Sequence, residues 1–260
     1  MTAEHETLSF LLHAPSKVGK STLSSTAPPP ICVLDAEGGW RFIRSAGFNG
    51  KLMRKIHWDP LQGPPPRWDG TWEVCIVSIR SWDTLRMAYA YLLQAEHDFR
   101  SLILDSITEM QRRLKANLRG TEQMRIQDWG DLLTHMDSTI RGLRDLTLLP
   151  NNVRCVVFIA ETEQRNGKWR PAMQGQIHRS LPYWMDLVGY LYVDNELGAD
   201  GQPTHRVRRL LITPHPEYET GERVQGVLGD IVTEPNITQM LQTIFGSSGI
   251  MESLEEATAQ

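Results

Sequence analysis

The stretch LLHAPSKVGKST, residues 11–22, determines how the rest of the chain is interpreted. It matches the phosphate-binding pattern G-x-x-x-x-G-K-[ST], with Gly19, Lys20 and Ser21 at the last three positions and Ala14 in place of the first glycine. The first position requires a tight turn rather than a close approach to phosphate, so alanine there is a mild departure. The stretch predicts a strand, an anion-binding turn and the start of a helix.

Each part of this loop has a definite task if it binds a nucleoside triphosphate. Backbone N–H groups of residues 16–21 would surround the phosphates, assisted by the positive end of the helix dipole. Lys20 would contact the β- and γ-phosphates, and the Ser21 hydroxyl would bind Mg²⁺. The alternative is a structural turn with an accidental Gly-Lys-Ser. The predicted ATP-binding residues are Ala14, Pro15, Ser16, Lys17, Val18, Gly19, Lys20, Ser21 and Thr22.

Short apolar runs alternate with longer helical patterns after this loop. Strands are predicted at residues 7–14, 31–35, 73–79, 101–105 and 154–161, and helical spacing occurs at 81–99, 127–149 and 236–245. Continuous apolar strands joined by helices predict a parallel sheet covered on both faces. Residues 187–194 and 205–213 predict an antiparallel hairpin that extends the sheet. Residues 55–72, rich in Pro, Gly and Trp, predict an irregular packed loop.

Length and composition predict one α/β domain over residues 1–245, followed by an acidic, disordered tail at 246–260. The net charge of -4 excludes a chain that is basic throughout but allows a local basic site. Cys32, Cys75 and Cys155 lie in apolar runs without C-x-x-C spacing, which predicts buried free thiols in a reducing compartment. Without a signal peptide or a long apolar span, we expect a cytoplasmic protein with no membrane partner.

Two carboxylates follow predicted strands at the edge where the phosphate-binding loop lies. Asp105 ends the buried run SLILD, the place for a carboxylate that helps to hold Mg²⁺ together with Ser21. Ser106 follows it directly, so a catalytic base must come from elsewhere in the chain. Glu37, in VLDAEGG, is placed to accept a proton from an attacking water. An ordinary acidic strand end is the alternative for Asp35 and Glu37.

The order of these motifs resembles the cores of RecA-like recombinases. The resemblance implies that Glu37 is the catalytic base. It also implies that Glu161, where the recombinases usually have Gln, senses the γ-phosphate and relays its presence to a mobile DNA-binding loop. The motifs PSKVGKST, LDAEGG, LILDSIT, QDWGDL and VVFIAETE resemble more specifically the short RecA-like ATPases of bacteriophages, many of them single-strand annealing proteins. This likeness spans residues 8–223.

Residues 164–185 contain no acidic side chain, although the chain is acidic overall. Basic residues interleaved with an aromatic one can neutralise a DNA backbone and stack a base. The alternative is a solvated hairpin without a ligand. A second basic cluster at Arg206, Arg208 and Arg209 is explained at least in part by alternation on an edge strand. The predicted DNA-binding residues are Arg165, Lys168, Trp169, Arg170 and Arg179.

The resemblance also bears on assembly and function. RecA-like assemblies insert a basic residue from the region of Arg223 into the ATP site of a neighbouring subunit, and an ordinary surface arginine is the alternative for Arg223. The resemblance implies a homo-oligomer formed on ATP and DNA, and a single-strand-binding protein as a partner. The preferred function is a Mg-ATP-binding, single-stranded-DNA-dependent ATPase that promotes annealing or strand exchange in phage recombination. Two alternatives stay open: a helicase or helicase-loader motor, and a nucleotide-gated protein-interaction module that binds no DNA.

Overall fold

A computed structural model describes residues 6–47, 50–94, 96–149, 153–197 and 203–246. Its strands are β1 (Leu8–Ala14), β2 (Ile31–Asp35), β3 (Lys55–His57), β4 (Val74–Ser78), β5 (Ser101–Asp105), β6 (Cys155–Arg165), β7 (Lys168–Pro171), β8 (Leu187–Leu197), β9 (Pro203–Leu211), β10 (Gly221–Glu222) and β11 (Ile231–Thr233). Its α-helices are α1 (Lys20–Ser24), α2 (Trp82–Gln94), α3 (Ile107–Arg119), α4 (Ile126–Asp145), α5 (Ile177–Trp184) and α6 (Ile237–Phe245).

The strands form one mixed sheet in the order β11-β9-β8-β1-β6-β5-β2-β4-β3, with β10 paired to β8 and β7 paired to β6. The pairs from β8 through β3 are all parallel, and the β8–β9 and β9–β11 pairs are antiparallel. The predicted mostly parallel α/β sheet with a C-terminal antiparallel extension is therefore confirmed. Parallel pairing brings the carboxyl ends of β1, β2, β5 and β6 to one edge of the sheet.

Buried side chains cover both faces of the sheet. One apolar cluster packs the strands against α2, α3, α4 and α5, and a second packs the opposite face against α1 and α6. All three cysteines are buried and free, as predicted. Burial raises the pKa of the Cys75 and Cys155 thiols to about 12, so both stay protonated at neutral pH.

Three helices differ from the prediction: α1 is short, and α3 and α5 were not predicted. The helix after the phosphate-binding loop, α1, has only five residues, since the sequence STAPPP that follows cannot continue a helix. Helix α3 was not predicted, because charged residues obscure its apolar positions at Ile107, Met110 and Leu114. The sequence feature that could have predicted α3 is its N-cap residue, Ser106, whose hydroxyl accepts a hydrogen bond from the Glu109 amide at 3.2 Å.

Residues 55–72 form a packed loop, as predicted, except that their first three residues add the edge strand β3. Trp58 and Trp72 are buried, and the Trp58 indole donates to the Gly63 carbonyl at 2.9 Å. None of the helices in the described ranges combines the length and the apolar character needed to cross a bilayer. The predicted acidic tail, apart from Gly246, lies outside the described residues.

Candidate nucleotide-binding site

The phosphate-binding loop connects β1 directly to α1. Ala14 is the last residue of β1, is fully buried, and is paired with Glu161 of β6 in the parallel ladder. The left-handed backbone positions of the loop are Lys17, at φ 64°, and Gly19, at φ 110°. Because the turn is made at these two residues and not at Ala14, the missing first glycine leaves the loop intact.

The loop has free donors and a lysine folded over it. Within the described residues, the amides of residues 16–19 donate to no backbone carbonyl, so they are available to an anion. Lys20 Nζ donates to the carbonyls of Ala14 and Pro15, both at 3.0 Å. Burial lowers the pKa of Lys20, and the nearby carboxylates oppose that shift. These carboxylates are Asp105, Glu37 and Glu161.

Asp105, at the carboxyl end of β5, is buried beside the loop. Its Oδ2 accepts a hydrogen bond from the Ser21 hydroxyl at 2.5 Å and from the Trp40 indole at 2.9 Å. Burial raises its pKa to about 6, with the negative charges of Glu37 and Asp35 adding to the shift and the two hydrogen bonds opposing it. Among the described residues, Asp105 forms no ion pair, although the Lys20 charge lies within electrostatic reach.

The donor set at this point fits Mg²⁺. The Ser21 hydroxyl and the Asp105 carboxylate are hydrogen-bonded to each other, so two oxygen donors lie side by side. Mg²⁺ is usually bound by one or two protein oxygen groups together with phosphate oxygens and water. In the ranges that the structure describes, no group of three or more His, Cys, Asp or Glu side chains is arranged to hold a metal. Retention of an ion here would therefore depend on a bound phosphate group.

The buried charge gives a testable effect on stability. In metal-free buffer, the raised pKa of Asp105 lowers stability as the pH rises from 3.8 to about 6, where the folded state still holds a proton that the unfolded state has released, and the full cost persists above pH 6. Asp105→Asn, whose amide oxygen can still accept both hydrogen bonds, should therefore stabilise the protein at pH 8. The expected gain is about 3 kcal/mol, since a pKa difference of one is equivalent to roughly 1.36 kcal/mol.

Denaturant unfolding in EDTA at pH 8 and at about pH 4 measures this gain. It should shrink as the pH falls from 6 toward the unfolded-state pKa of Asp105, where both states are protonated. Equal stability of the two proteins at pH 8 would show that the Asp105 carboxylate is well solvated or paired.

Glu37 lies just past β2, with its carboxylate exposed and oriented. The Ser106 hydroxyl donates to Glu37 Oε1 at 2.5 Å, and the Glu37 amide donates to the Asp105 carbonyl at 3.3 Å. Asp35 has a structural role instead, because its oxygens accept the amides of Gly38 at 2.7 Å and Trp40 at 3.2 Å. Ser106 thus occupies one carboxylate oxygen of Glu37, and the other oxygen accepts no hydrogen bond from the described residues, so it can meet a water molecule.

Glu161 forms an ion pair with Arg112, a residue that was not among the predicted site residues. Arg112 of α3 donates to both of its carboxylate oxygens, at 2.8 and 2.7 Å, and this contact lowers the pKa of Glu161. The Glu161 amide also donates to Thr108 Oγ1 at 3.0 Å. The prediction that Glu161 closes its strand was wrong, since β6 continues to Arg165. What ends at Glu161 is the parallel pairing of β6 with β1, where Glu161 lies opposite Ala14.

The predicted DNA-binding segment is a regular hairpin followed by α5, where the resemblance implied a mobile loop. Strands β6 and β7 turn at Asn166 and Gly167, both with positive φ, the arrangement of a two-residue hairpin turn. Backbone hydrogen bonds of Trp169 to Glu217 and Glu219, each 2.7 Å, add a third extended segment. The outer edge of β7 is therefore held at Trp169, whereas the pairing of β6 with β1 ends at Glu161, before the hairpin begins.

The five predicted DNA-binding side chains are placed unequally. Arg165 and, on α5, Arg179 are exposed, whereas Trp169 is half-buried. Lys168 pairs with Glu219 at 3.4 Å, and Arg170 lies opposite Glu163 across the hairpin. The carboxylates come from outside the acid-free segment, so its sequence overstates the positive charge of this surface.

His13, the residue before Ala14, connects the loop to this hairpin. It is fully buried, with Nδ1 3.1 Å from Thr162 Oγ1 and Nε2 2.8 Å from the Glu219 carbonyl. Burial lowers its pKa to about 4, so the ring is neutral at pH 7 and Nε2 carries the proton that the carbonyl accepts. One buried ring thus touches β1, the base of the hairpin and the segment that carries Glu219.

Arg223 contacts its own chain. Its guanidinium lies 3.4 Å from Asp186 Oδ1 and donates to the Tyr183 carbonyl. It follows the short strand β10, and β11 comes later in the chain; neither strand was predicted. An arginine that reaches a neighbouring subunit from here would first have to leave both partners.

Comparison with known proteins gives a family match. A family model described as an AAA domain matches residues 6–224. Among solved structures, the chain is similar to one titled "Crystal structure of the RadB recombinase", with 12% sequence identity and a TM-score of 0.44. That match covers 82% of this chain and 84% of the other. No curated protein matches the sequence.

Proposed function

Because this chain belongs to the AAA domain family, we propose that it is a Mg-ATP-dependent ATPase of the RecA-like type. One observation carries the proposal: Lys20, the Ser21–Asp105 pair and the Ser106–Glu37 pair meet at one edge of the sheet. This set contains a cation for the phosphates, oxygen ligands for an ion and an oriented base. Each is required for transfer of a phosphoryl group to water.

In the proposed reaction, water attacks the γ-phosphorus while the bond to the β,γ-bridging oxygen breaks, giving ADP and phosphate. Glu37 accepts the proton of the attacking water on its free oxygen. Lys20 leaves the loop carbonyls and donates to the phosphates, and the loop amides donate to the same oxygens. Ser21 and Asp105 would hold Mg²⁺, which neutralises phosphate charge when it is bound.

The finer proposal is that single-stranded DNA stimulates this reaction, and that the protein promotes annealing or strand exchange in phage recombination. Its support is the continuity of β6, which runs from Glu161, within electrostatic reach of Lys20, into the hairpin with Lys168 and Trp169. A phosphate that draws Lys20 or Arg112 away changes the environment of Glu161 at the base of the hairpin. A homo-oligomer, with Arg223 reaching a neighbour, and a single-strand-binding protein complete this hypothesis.

Steady-state ATP hydrolysis with and without single-stranded DNA tests the proposal. We expect stimulation by DNA, and loss of the stimulation in Lys168→Gln/Arg170→Gln with DNA-independent hydrolysis retained. Arg86→Gln/Arg141→Gln is the matched control, because it removes two positive charges that pair with Asp83 and Asp137 on their own helices. Hydrolysis that is indifferent to DNA in the wild-type protein would favour the protein-interaction module.

A further inference from the structure

We propose that the five cations between residues 41 and 55 form a second binding surface for the phosphate backbone of single-stranded DNA, separate from the β6–β7 hairpin. The choice of DNA as the ligand rests on the proposed function. Residues 38–58 contain no Asp or Glu, in a chain with a net charge of -4. The cations, here called the basic surface, are Arg41, Arg44, Lys51, Arg54 and Lys55.

Backbone pairing brings this surface together. The Met53 amide donates to the Arg44 carbonyl at 2.9 Å, and the Ala46 amide donates to the Lys51 carbonyl at 3.2 Å. These contacts fold the segment back on itself beside a cavity of about 640 Å³. The cavity is lined by Arg44, Lys51, Leu52, Met53, Arg54 and Lys55. Four of these six side chains are positively charged.

Within the described part of the chain, none of these five cations forms an ion pair with a carboxylate. Arg41, Arg44 and Lys51 are all exposed. Lys55 Nζ donates to the carbonyls of Trp40 and Arg41, at 2.8 and 3.4 Å, and not to a carboxylate. Burial and the neighbouring Arg44 charge lower the pKa of Lys55. Like charges held this close without counter-ions attract a polyanion.

One acidic group lies close by. The Glu73 carboxylate accepts the backbone amide of Arg54 at 2.5 Å. In the β6–β7 hairpin, by contrast, carboxylates face the cationic side chains themselves: Glu219 pairs with Lys168, and Glu163 lies opposite Arg170. Per residue, residues 41–55 are therefore the more electropositive of the two segments.

An aromatic side chain on this surface favours nucleic acid as the ligand. Phe42 is 71% exposed, and the Arg41 guanidinium lies 4.7 Å from its ring centre. An exposed ring beside phosphate-binding cations is the combination that holds single strands, through base stacking and charge neutralisation. A membrane-binding surface would present a broad apolar face, whereas among the described residues of this segment only Phe42 and Leu52 are large exposed apolar side chains.

Arg44→Gln/Lys51→Gln tests the surface, since both side chains line the cavity and neither has a described partner. Binding of a fluorescently labelled oligothymidylate is measured by anisotropy from about 50 to 200 mM salt. We expect the slope of log K against log salt to become shallower by about 1.4, at roughly 0.7 per lost phosphate contact on a single strand. Arg86→Gln/Arg141→Gln, the matched control, should keep the wild-type slope, and both double variants should keep DNA-independent hydrolysis.

The outcomes separate this proposal from the proposed function. An unchanged slope in Arg44→Gln/Lys51→Gln, or no oligothymidylate binding by the wild-type protein, overturns the surface. A shallower slope without DNA-stimulated hydrolysis in the wild-type protein keeps the surface and rejects the DNA-dependent ATPase. The same proteins are sedimented with vesicles of phosphatidylserine and phosphatidylcholine. Vesicle binding that Arg44→Gln/Lys51→Gln removes, with the oligothymidylate slope unchanged, would identify a lipid surface and overturn the proposal.

Discussion

Glu37→Gln should lower the rate of ATP hydrolysis by about 10²–10⁴-fold while ATP still binds. The amide keeps an oxygen that can accept the Ser106 hydroxyl, so the side chain should stay in place and lose only its ability to take a proton. Single-turnover hydrolysis measures the chemical step, and binding of a fluorescent ATP analogue measures affinity. Both are needed, because a proton acceptor acts on the step and not on the binding.

Glu122→Gln is the control for that experiment, since it makes the same chemical change at an exposed position near the end of α3. It should hydrolyse ATP at the wild-type rate. If the hydrolysis rate of Glu37→Gln is within about threefold of the wild-type rate, the general base, which typically contributes 10²–10⁴-fold, is located elsewhere. Asp35 would not be the substitute, because both of its oxygens accept backbone amides.

Lys20→Gln should reduce hydrolysis by about 10²–10³-fold and weaken ATP binding as well. Lys20 is the loop cation that lies near three carboxylates and over the loop carbonyls, so its loss leaves the phosphate charge uncompensated at the reacting centre. The measurements are kcat and the affinity for a fluorescent ATP analogue. Unlike Glu37→Gln, this variant is expected to change both.

Lys17→Gln provides the comparison within the same loop. It removes the same charge from an exposed side chain, and we expect a loss of less than about tenfold, in the range of a single exposed charge. Equal losses in the two variants would mean that total loop charge, and not the position of Lys20, determines phosphate binding.

The sequence was sufficient for those parts of the fold that buried strands define. Strands β2 and β5 have the predicted bounds, because each is an uninterrupted apolar run that ends at an aspartate. Parallel pairing then brings Lys20, Glu37 and Asp105 to one edge without further information. The shortened α1 and the missed α3 depended on local competition between proline, caps and charged residues.

The supporting contacts of the site could not be predicted in this way. The Trp40 indole contacts Asp105 across 65 positions of sequence, and Arg112 contacts Glu161 across 49. Such contacts depend on strand order and on which face of α3 meets β6. The surface around Arg44 and Lys51 was missed for a related reason: its charges were visible in the sequence, but their convergence on one cavity depends on how the segment folds back.

Trp40 joins two parts of the molecule that have been described separately. Its indole N–H holds the carboxylate proposed to bind Mg²⁺, and its carbonyl holds Lys55 of the basic surface. A displacement of Trp40 would therefore move both the Asp105 carboxylate and the Lys55 ammonium group. Coupling between two binding sites is reciprocal. If nucleotide changes the affinity for an anion at the basic surface, that anion changes the affinity for nucleotide by the same factor. Energetic communication between the two sites would need no more than this single buried residue, through its ring on one side and its carbonyl on the other.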